Sequence, residues 1–397
     1  MSESVPLSEL VSLQRGKSYK SALLDQDGPI LCGLGTIERN GGFKRGDLRT
    51  YGGDSPIQLS VRPGDLYLSL KDVTHKAELL GAVARFPTDL TMGRLTQDTI
   101  RLDVTSDTVI ADYLYLALLD PSYRAYCRTR GTGTTNLDLS RADFLSYEIR
   151  LPAISDQQAI TEVLGALDDK IAANDYVSTT SMELAGLIYD DRAQELDSIR
   201  MSQVLNPILG GTPSKAQPEF WGGDLSWASA RDVAGASHGS LLRTEDHITA
   251  LAIERTKAKP LPAGSVVLTA RGTVGAVARL ATTSSFNQSC YGFKPDRLPA
   301  SLLYFGVLRA AQHAKEIAHG SVFDTISMTS FDHLFLPAWR PDDLGSLTTK
   351  LDPLLNGVDR RVAENATLAA TRDALLPHLM SGKLRVREAE KKVEALV

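Results

Sequence analysis

The feature that most restricts how this chain can fold is a long amphipathic stretch that occurs twice. After Leu151-Pro152, apolar residues fall at Ile160, Val163/Leu164, Leu167, Ile171, Val177, Met182, Leu184/Ala185 and Ile188, the three-and-four spacing of one helical stripe. Ser155 with Gln158 three residues on reads as a capping-box start. A helix from Asp156 to about Arg192 would be roughly 55 Å long at ~1.5 Å per residue, too long for an ordinary core helix. Leu167-Asp-Asp-Lys-Ile-Ala-Ala-Asn174 then returns as Val358-Asp-Arg-Arg-Val-Ala-Glu-Asn365, 191 residues later. Each copy follows an apolar run closed by Leu-Pro, at Leu151-Pro152 and Leu336-Pro337. The chain reads as two copies of one unit, a globular half followed by a long helix.

The second stripe comprises Leu347, Leu351, Leu354/Leu355, Val358, Val362, Leu368, Leu375/Leu376 and Leu379. Pro353 and Pro377 are expected to kink or interrupt this helix, and Gly382 to stop it. Asn174 and Asn365 occupy equivalent places near the two stripes. Either they fix the register of a helix pair, as a core Asn does in coiled coils, or they lie at its edge and bond to water.

The globular halves repeat as well. Gly210-Gly-Thr-Pro-Ser-Lys215 stands where Arg15-Gly-Lys-Ser-Tyr-Lys20 stands, followed by a turn at Phe220-Trp-Gly-Gly223. Ala263 to Ala270 corresponds to Pro63 to Leu70, and both run into an identical Gly-Ala-Val-Ala-Arg, at 81–85 and 275–279. Gln97-Asp-Thr matches Gln288-Ser-Cys. The first half reads as strand-rich, with strands in Pro29 to Leu34, Asp65 to Leu70 and Leu80 to Phe86, then helices over Ile110 to Leu119 and Pro121 to Arg130.

The net charge of −5 argues mildly against a polyanionic partner until it is divided by segment. Residues 153–199 carry 2 basic and 10 acidic side chains, whereas 200–340 carry 14 and 10. Acid is therefore concentrated on the first long helix, and local basic faces remain available on the globular halves. Cys32, Cys127 and Cys290 lack any CxxC spacing and read as buried small apolar residues. The first residues resemble no signal peptide, and no apolar run approaches ~18 residues, so a cytoplasmic location without membrane contact is expected. The histidines do not cluster; His75 and His333 read as surface or satisfied core.

Three loops of the first half mix cations, small hydroxyls, Asn and aromatics: Arg15 to Lys20, Glu38 to Arg45, and Arg128 to Asn136. Glycine lets backbone approach a phosphate chain, Lys and Arg neutralise it, and Arg or Asn reach base edges. Candidate DNA contacts are Arg15, Lys17, Lys20, Arg39, Lys44, Arg45, Arg130 and Asn136 in the first half. In the second they are Thr212, Ser214, Lys215, Arg231, Arg271, Asn287 and Gln288, with Trp221 packing rather than stacking. Asp120-Pro-Ser-Tyr123 resembles the tetrad with which adenine methyltransferases hold their target amino group. Its second proline is missing and no glycine-rich cofactor loop accompanies it, so a helix-to-helix turn is the better account.

The order of domain then long helix, twice over, resembles the specificity subunits of type I restriction-modification systems. The carriers are Gln157-Gln-Ala-Ile160, Leu167-Asp-Asp-Lys-Ile171, Gly211-Thr-Pro-Ser214, Trp227, Arg271-Gly-Thr-Val-Gly275 and Asn287-Gln288. The most specific is Arg372-Asp-Ala-Leu-Leu-Pro-His-Leu-Met-Ser-Gly382. The resemblance implies an α+β chain: two similar mixed α/β target recognition domains separated by two long antiparallel helices forming a coiled coil. Recognition domains over 1–152 and 200–340, spacer helices over 153–199 and 341–383, and a charged tail over 384–397 are expected. Ile160, Leu164, Leu167, Ile171, Asn174, Val358, Val362 and Asn365 would make the spacer interface.

Such a subunit has no catalysis and no cofactor of its own. Its partners are double-stranded DNA, two methyltransferase subunits that use S-adenosylmethionine, and motor-nuclease restriction subunits. Two other readings stand beside this one. A self-contained adenine methyltransferase would need a glycine-rich cofactor loop and an intact tetrad, and a DNA-independent protein scaffold would need no basic loops at all.

Overall fold

A computed structural model of the chain describes residues 3–74, 76–133, 136–318 and 325–394. His75, Thr134 and Thr135, and the last three residues of the tail, lie outside the described residues. Two compact units emerge, Met1–Asp169 with Leu368–Val397, and Lys170–Thr367. Each contains one mixed α/β globular half and parts of both long helices.

Those helices are Ile154–Ala193 and Pro341–Met380, 40 residues each. In the second unit Lys170 pairs with Glu364 at 3.6 Å and Arg192 with Asp343 at 2.7 Å, which makes the helices antiparallel. In the first unit Asp168 pairs with Arg372 at 2.7 Å. Ile160, Val163, Leu164 and Leu167 are buried, as are Leu347, Leu351, Leu355, Val358, Leu368, Leu375, Leu376 and Leu379. Burying such a side chain stabilises by about 1.5–3 kcal/mol. Ile171 and Val362 are half-buried.

Several expectations need correction here. The first stripe is interrupted at Val177, which is exposed; at the Leu184/Ala185 position Ala185 is the buried member, and it joins the core of the second unit together with Tyr189. The first helix starts at Ile154, so Ser155 lies within its first turn and caps nothing. The Ala153 carbonyl accepts from the Asp156 and Gln157 amides. Gln157 is buried; it donates to the Thr108 and Pro152 carbonyls and accepts from the Ile110 amide, at 2.8, 3.0 and 3.1 Å. Pro353 and Pro377 do not interrupt the second helix. The carbonyls they deprive of a donor belong to Thr349 and Asp373, exposed residues that water reaches. Gly382 has φ +70° and ends the helix as expected. A side chain there would also strike the Arg150 guanidinium.

In the first unit Val11–Arg15, Thr99–Val104, Leu66–Ser69 and Val83–Arg85 form a four-stranded antiparallel sheet in that order. A second sheet sets Gly93–Leu95 between Ile30–Cys32 and Ser60–Val61. Helices Ala111–Leu119 and Pro121–Arg130 follow. Asp120 caps the second of them, accepting from the Ser122 amide at 2.8 Å. The Asp-Pro-Ser-Tyr segment is thus a helix-to-helix turn, and Tyr123 is buried with its hydroxyl donating to the Gly81 carbonyl at 2.9 Å.

The second unit repeats this plan. Ile208–Leu209, Cys290–Phe293, Val266–Thr269, Val277–Leu280 and Ser240–Leu241 form one sheet, and Trp221–Ala228 lies between Asp246–Ile248 and Ser284–Phe286 in another. The expected turn at Phe220 to Gly223 is instead the start of a strand. Its register shifts between Trp221 and Leu225, and Gly222 takes φ +75°, so a bulge absorbs the two glycines.

The duplicated pentapeptide occupies one place in both units. Arg85 lies opposite Leu66 and Arg279 opposite Val266. Arg85 pairs with Asp112 at 2.9 Å over the ring of Tyr115, and Arg279 pairs with Asp359 at 2.6 Å over the ring of Tyr304. Asp168 is the repeat counterpart of Asp359, yet its partner is Arg372.

Candidate nucleic-acid interface

In the second unit, short hydrogen bonds bring the candidate loops together. The Gly211 amide donates to the Phe286 carbonyl at 2.9 Å, and the Ala270 amide to the Ser289 carbonyl at 2.7 Å. Thr212 donates from its hydroxyl to the Gln288 side-chain carbonyl. The Asn287 amide donates to the Ala228 carbonyl at 2.9 Å, just before the short helix Ala230–Ala234 that carries Arg231 and is closed by a Ser229–Asp232 capping box. Thr212, Ser214, Lys215, Arg231, Arg271 and Gln288 are exposed there, with Asn287 half-buried and its side-chain carbonyl taken by the Ser289 amide.

Charge is unevenly spent on this rim. Lys215 pairs with Asp246 at 2.8 Å and its ammonium lies 3.8 Å from the Trp221 ring centre. Arg231 and Arg271 form no ion pair with the described residues, which leaves their donors for a ligand. The two tryptophans hold the loop from below: Trp227 donates to the Gly211 carbonyl at 2.9 Å and Trp221 to the Ser214 carbonyl at 3.1 Å. Trp221 packs edge-on to Trp227, with ring centres 5.1 Å apart. Gly211 runs so close to the chain that a Cβ would lie 2.6 Å from the Ala258 nitrogen.

The first unit connects two of its three loops. Arg128 donates to the Asn40 side-chain carbonyl at 2.8 Å, tying the Glu38 to Arg45 loop to the end of the second helix. Arg39 pairs with Glu78, Arg45 with Asp89 and Arg130 with Asp143. The bidentate Arg45 contact holds the Asp89 carboxyl below its ordinary range. Asn136 is exposed beside the undescribed Thr134 and Thr135. The Arg15 to Lys20 loop is held elsewhere, by Arg94 and Tyr51. Arg15, Lys17, Lys20 and Lys44 are exposed and form no ion pair with the described residues.

Gln157 enters the sequence reading only through the family resemblance, and Arg94 has no signal there at all. The three cysteines are buried as expected, and burial pushes the Cys32 and Cys290 thiols up to about 12. His333 is exposed. No described helix is long and apolar enough to cross a membrane.

Residues 194–338 match the family model of the type I restriction modification DNA specificity domain. The chain is 26% identical over 162 residues to the type I restriction enzyme MjaIX specificity subunit of Methanocaldococcus jannaschii, covering 40% of this chain and 38% of that one. It is 24% identical over 181 residues to the HindI specificity subunit of Haemophilus influenzae, covering 45% and 39%. The matches span under two-fifths of those relatives' lengths. Over 96% of both chains it shares a fold with the crystal structure of a type I restriction-modification system S subunit from M. genitalium, with a TM-score of 0.57 at 13% identity.

Proposed function

We propose, for a chain that belongs to the specificity subunits of type I restriction-modification systems, that it selects a DNA sequence and leaves the chemistry to other subunits. Each globular half would read one half of a split site, and the two long helices would set the spacing between them. The carrying observation is the second unit's rim, where three loops converge and Arg231 and Arg271 keep free donors. Cations of this kind position the backbone, while a few side chains read base edges. Half-sites on one DNA face lie about 34–36 Å apart, a span that 40-residue helices, roughly 60 Å long, are long enough to bridge.

The helices would also dock partner subunits. Tyr176, Val177, Leu184 and Leu187 form an exposed apolar stripe on the first long helix, within the acidic segment of the chain. Such a stripe suits a protein partner and is badly suited to DNA. The partners would be two methyltransferase subunits, which bring S-adenosylmethionine, and restriction subunits in the cleaving complex.

The test is retention of duplex DNA at moderate salt with and without the methyltransferase partner, with mapping of methylated adenines in cells carrying the complete system. A split adenine-containing site supports the proposal. Methylation by the purified chain alone would make it an enzyme, and binding of the partner without any sequence-selective DNA retention would make it a scaffold.

A further inference from the structure

Arg94 lies on the central strand of the three-stranded sheet in the first unit and is 3% exposed. Buried cations are ordinarily paired with a carboxylate, yet Arg94 forms no ion pair with the described residues. Its guanidinium instead spreads over four main-chain carbonyls: Lys17 at 3.5 Å, Ser18 at 3.2 Å, Asp54 at 3.3 Å and Leu95 at 3.3 Å. It also stacks 4.7 Å from the ring centre of Tyr51, whose hydroxyl accepts from the Lys20 amide at 3.4 Å. The Arg15 to Lys20 loop is thereby drawn inward by its backbone while the side chains of Lys17, Ser18 and Lys20 stay exposed.

The second unit solves the same problem with different chemistry. Trp227 and Trp221 donate to carbonyls of the equivalent Gly210 to Lys215 loop. Neither loop has room for a side chain at the shared glycine: a Cβ on Gly16 would lie 2.7 Å from the Leu95 Cβ, and one on Gly211 would lie 2.6 Å from the Ala258 nitrogen. Unrelated donors on different strands, Arg94 in one unit and Trp227 in the other, hold equivalent loops by their carbonyls, which indicates that the loop's backbone conformation is what matters. A guanidinium adds a positive charge beneath the loop, which an indole does not.

We infer that Arg94, seconded by Tyr51, is a positioning residue that presets the Arg15 to Lys20 loop for DNA and so governs recognition of one half-site. This rests on the DNA-reading function proposed above. A contact group held by a rigid second layer loses less freedom on binding, and slack of even ~1 Å in that layer degrades selectivity. Arg94→Lys keeps the charge and loses the planar fork; Arg94→Met loses both.

The experiment uses the full chain with its methyltransferase partner, maps methylated adenines, and measures binding to the mapped duplex and to duplexes mutated in either half. The expected result for Arg94→Lys is a loss of roughly tenfold in discrimination within one half-site, with discrimination in the other half unchanged. Arg94→Met should add a weaker affinity for all sequences. Equal loss in both halves, or no loss in either, overturns the inference. Tyr51→Phe keeps the ring, so if the Arg94 variants melt early it carries the test: loss confined to the same half supports the inference and no change overturns it. A wild-type chain that selects no sequence at all would instead sink the DNA-reading function itself.

Discussion

Asn174 and Asn365, the same position in the two copies of the helix motif, face each other across the antiparallel helices of the second unit, Asn174 Nδ2 donating to Asn365 Oδ1 at 2.9 Å. Asn174 also donates to Glu364 at 3.0 Å, and Asn365 donates to Asp175 at 2.9 Å. With Asn174 7% exposed, this pair bonds to protein rather than lying at an edge in water. One-residue or one-turn slips would break these three polar contacts at once, which is how a polar pair specifies register.

Asn174→Leu should therefore destabilise the helix pair by about 1–3 kcal/mol, because the Asn365 side-chain carbonyl loses its donor inside the interface. Thermal melting and subunit assembly report this, while the DNA sequence selected stays the same. An unchanged melting curve together with unchanged assembly counts against a register role.

Arg279 and Asp359 attach a sheet strand to the second long helix. Arg279 is 3% exposed and Asp359 is half-buried, so Asp359→Asn leaves a buried cation short of its partner, at a cost of about 3–5 kcal/mol where burial is complete and less here. Arg279→Met with Asp359→Leu together should recover much of that loss. Denaturant melts of the two singles and the double decide it: strict additivity would show that the pair does not interact.

The carboxylate of Asp72 closes a loop of the first unit, accepting from the amides of Thr74, Leu79 and Leu80. Burial alone would raise its pKa; the Thr74 hydroxyl and those amides together outweigh it and hold the group below its ordinary 3.8. A depressed folded pKa gives stability that is complete above the unfolded value and disappears as pH falls through the folded one. The stability gap between the wild type and Asp72→Asn should thus be constant near neutral pH and narrow below about pH 4. A gap that persists unchanged at pH 3 would contradict this.

Lys215 and the pair Arg231 and Arg271 should separate in DNA binding. Lys215→Ala is expected to weaken binding to every sequence and flatten the salt dependence by about one unit of slope. Substitution of Arg231 or Arg271 should relax specificity in one half-site by about 1–3 kcal/mol. Equal losses on cognate and random duplexes for all three would remove the distinction.

The two long helices and the Gly382 stop were legible in the sequence, because a 3.6-residue period and a left-handed glycine are local properties of the chain. So was the plan of strand, pentapeptide and helix that recurs in both units. What the amino-acid order left open was the identity of partners across distance. Ser155 looked like a cap, but the Ala153 carbonyl begins the helix. Pro353 looked like a break, and its exposed face removed the cost. Asp168 and Asp359 stand in the same motif, yet one pairs with Arg372 and the other with Arg279. Arg94 was one arginine among many until folding placed it under the Lys17 and Ser18 carbonyls. Periodicity and turn chemistry act between near neighbours in the chain and can be read there. Ion pairing and carbonyl satisfaction depend on which residues tertiary packing brings within about 3 Å, and only the folded chain determines that.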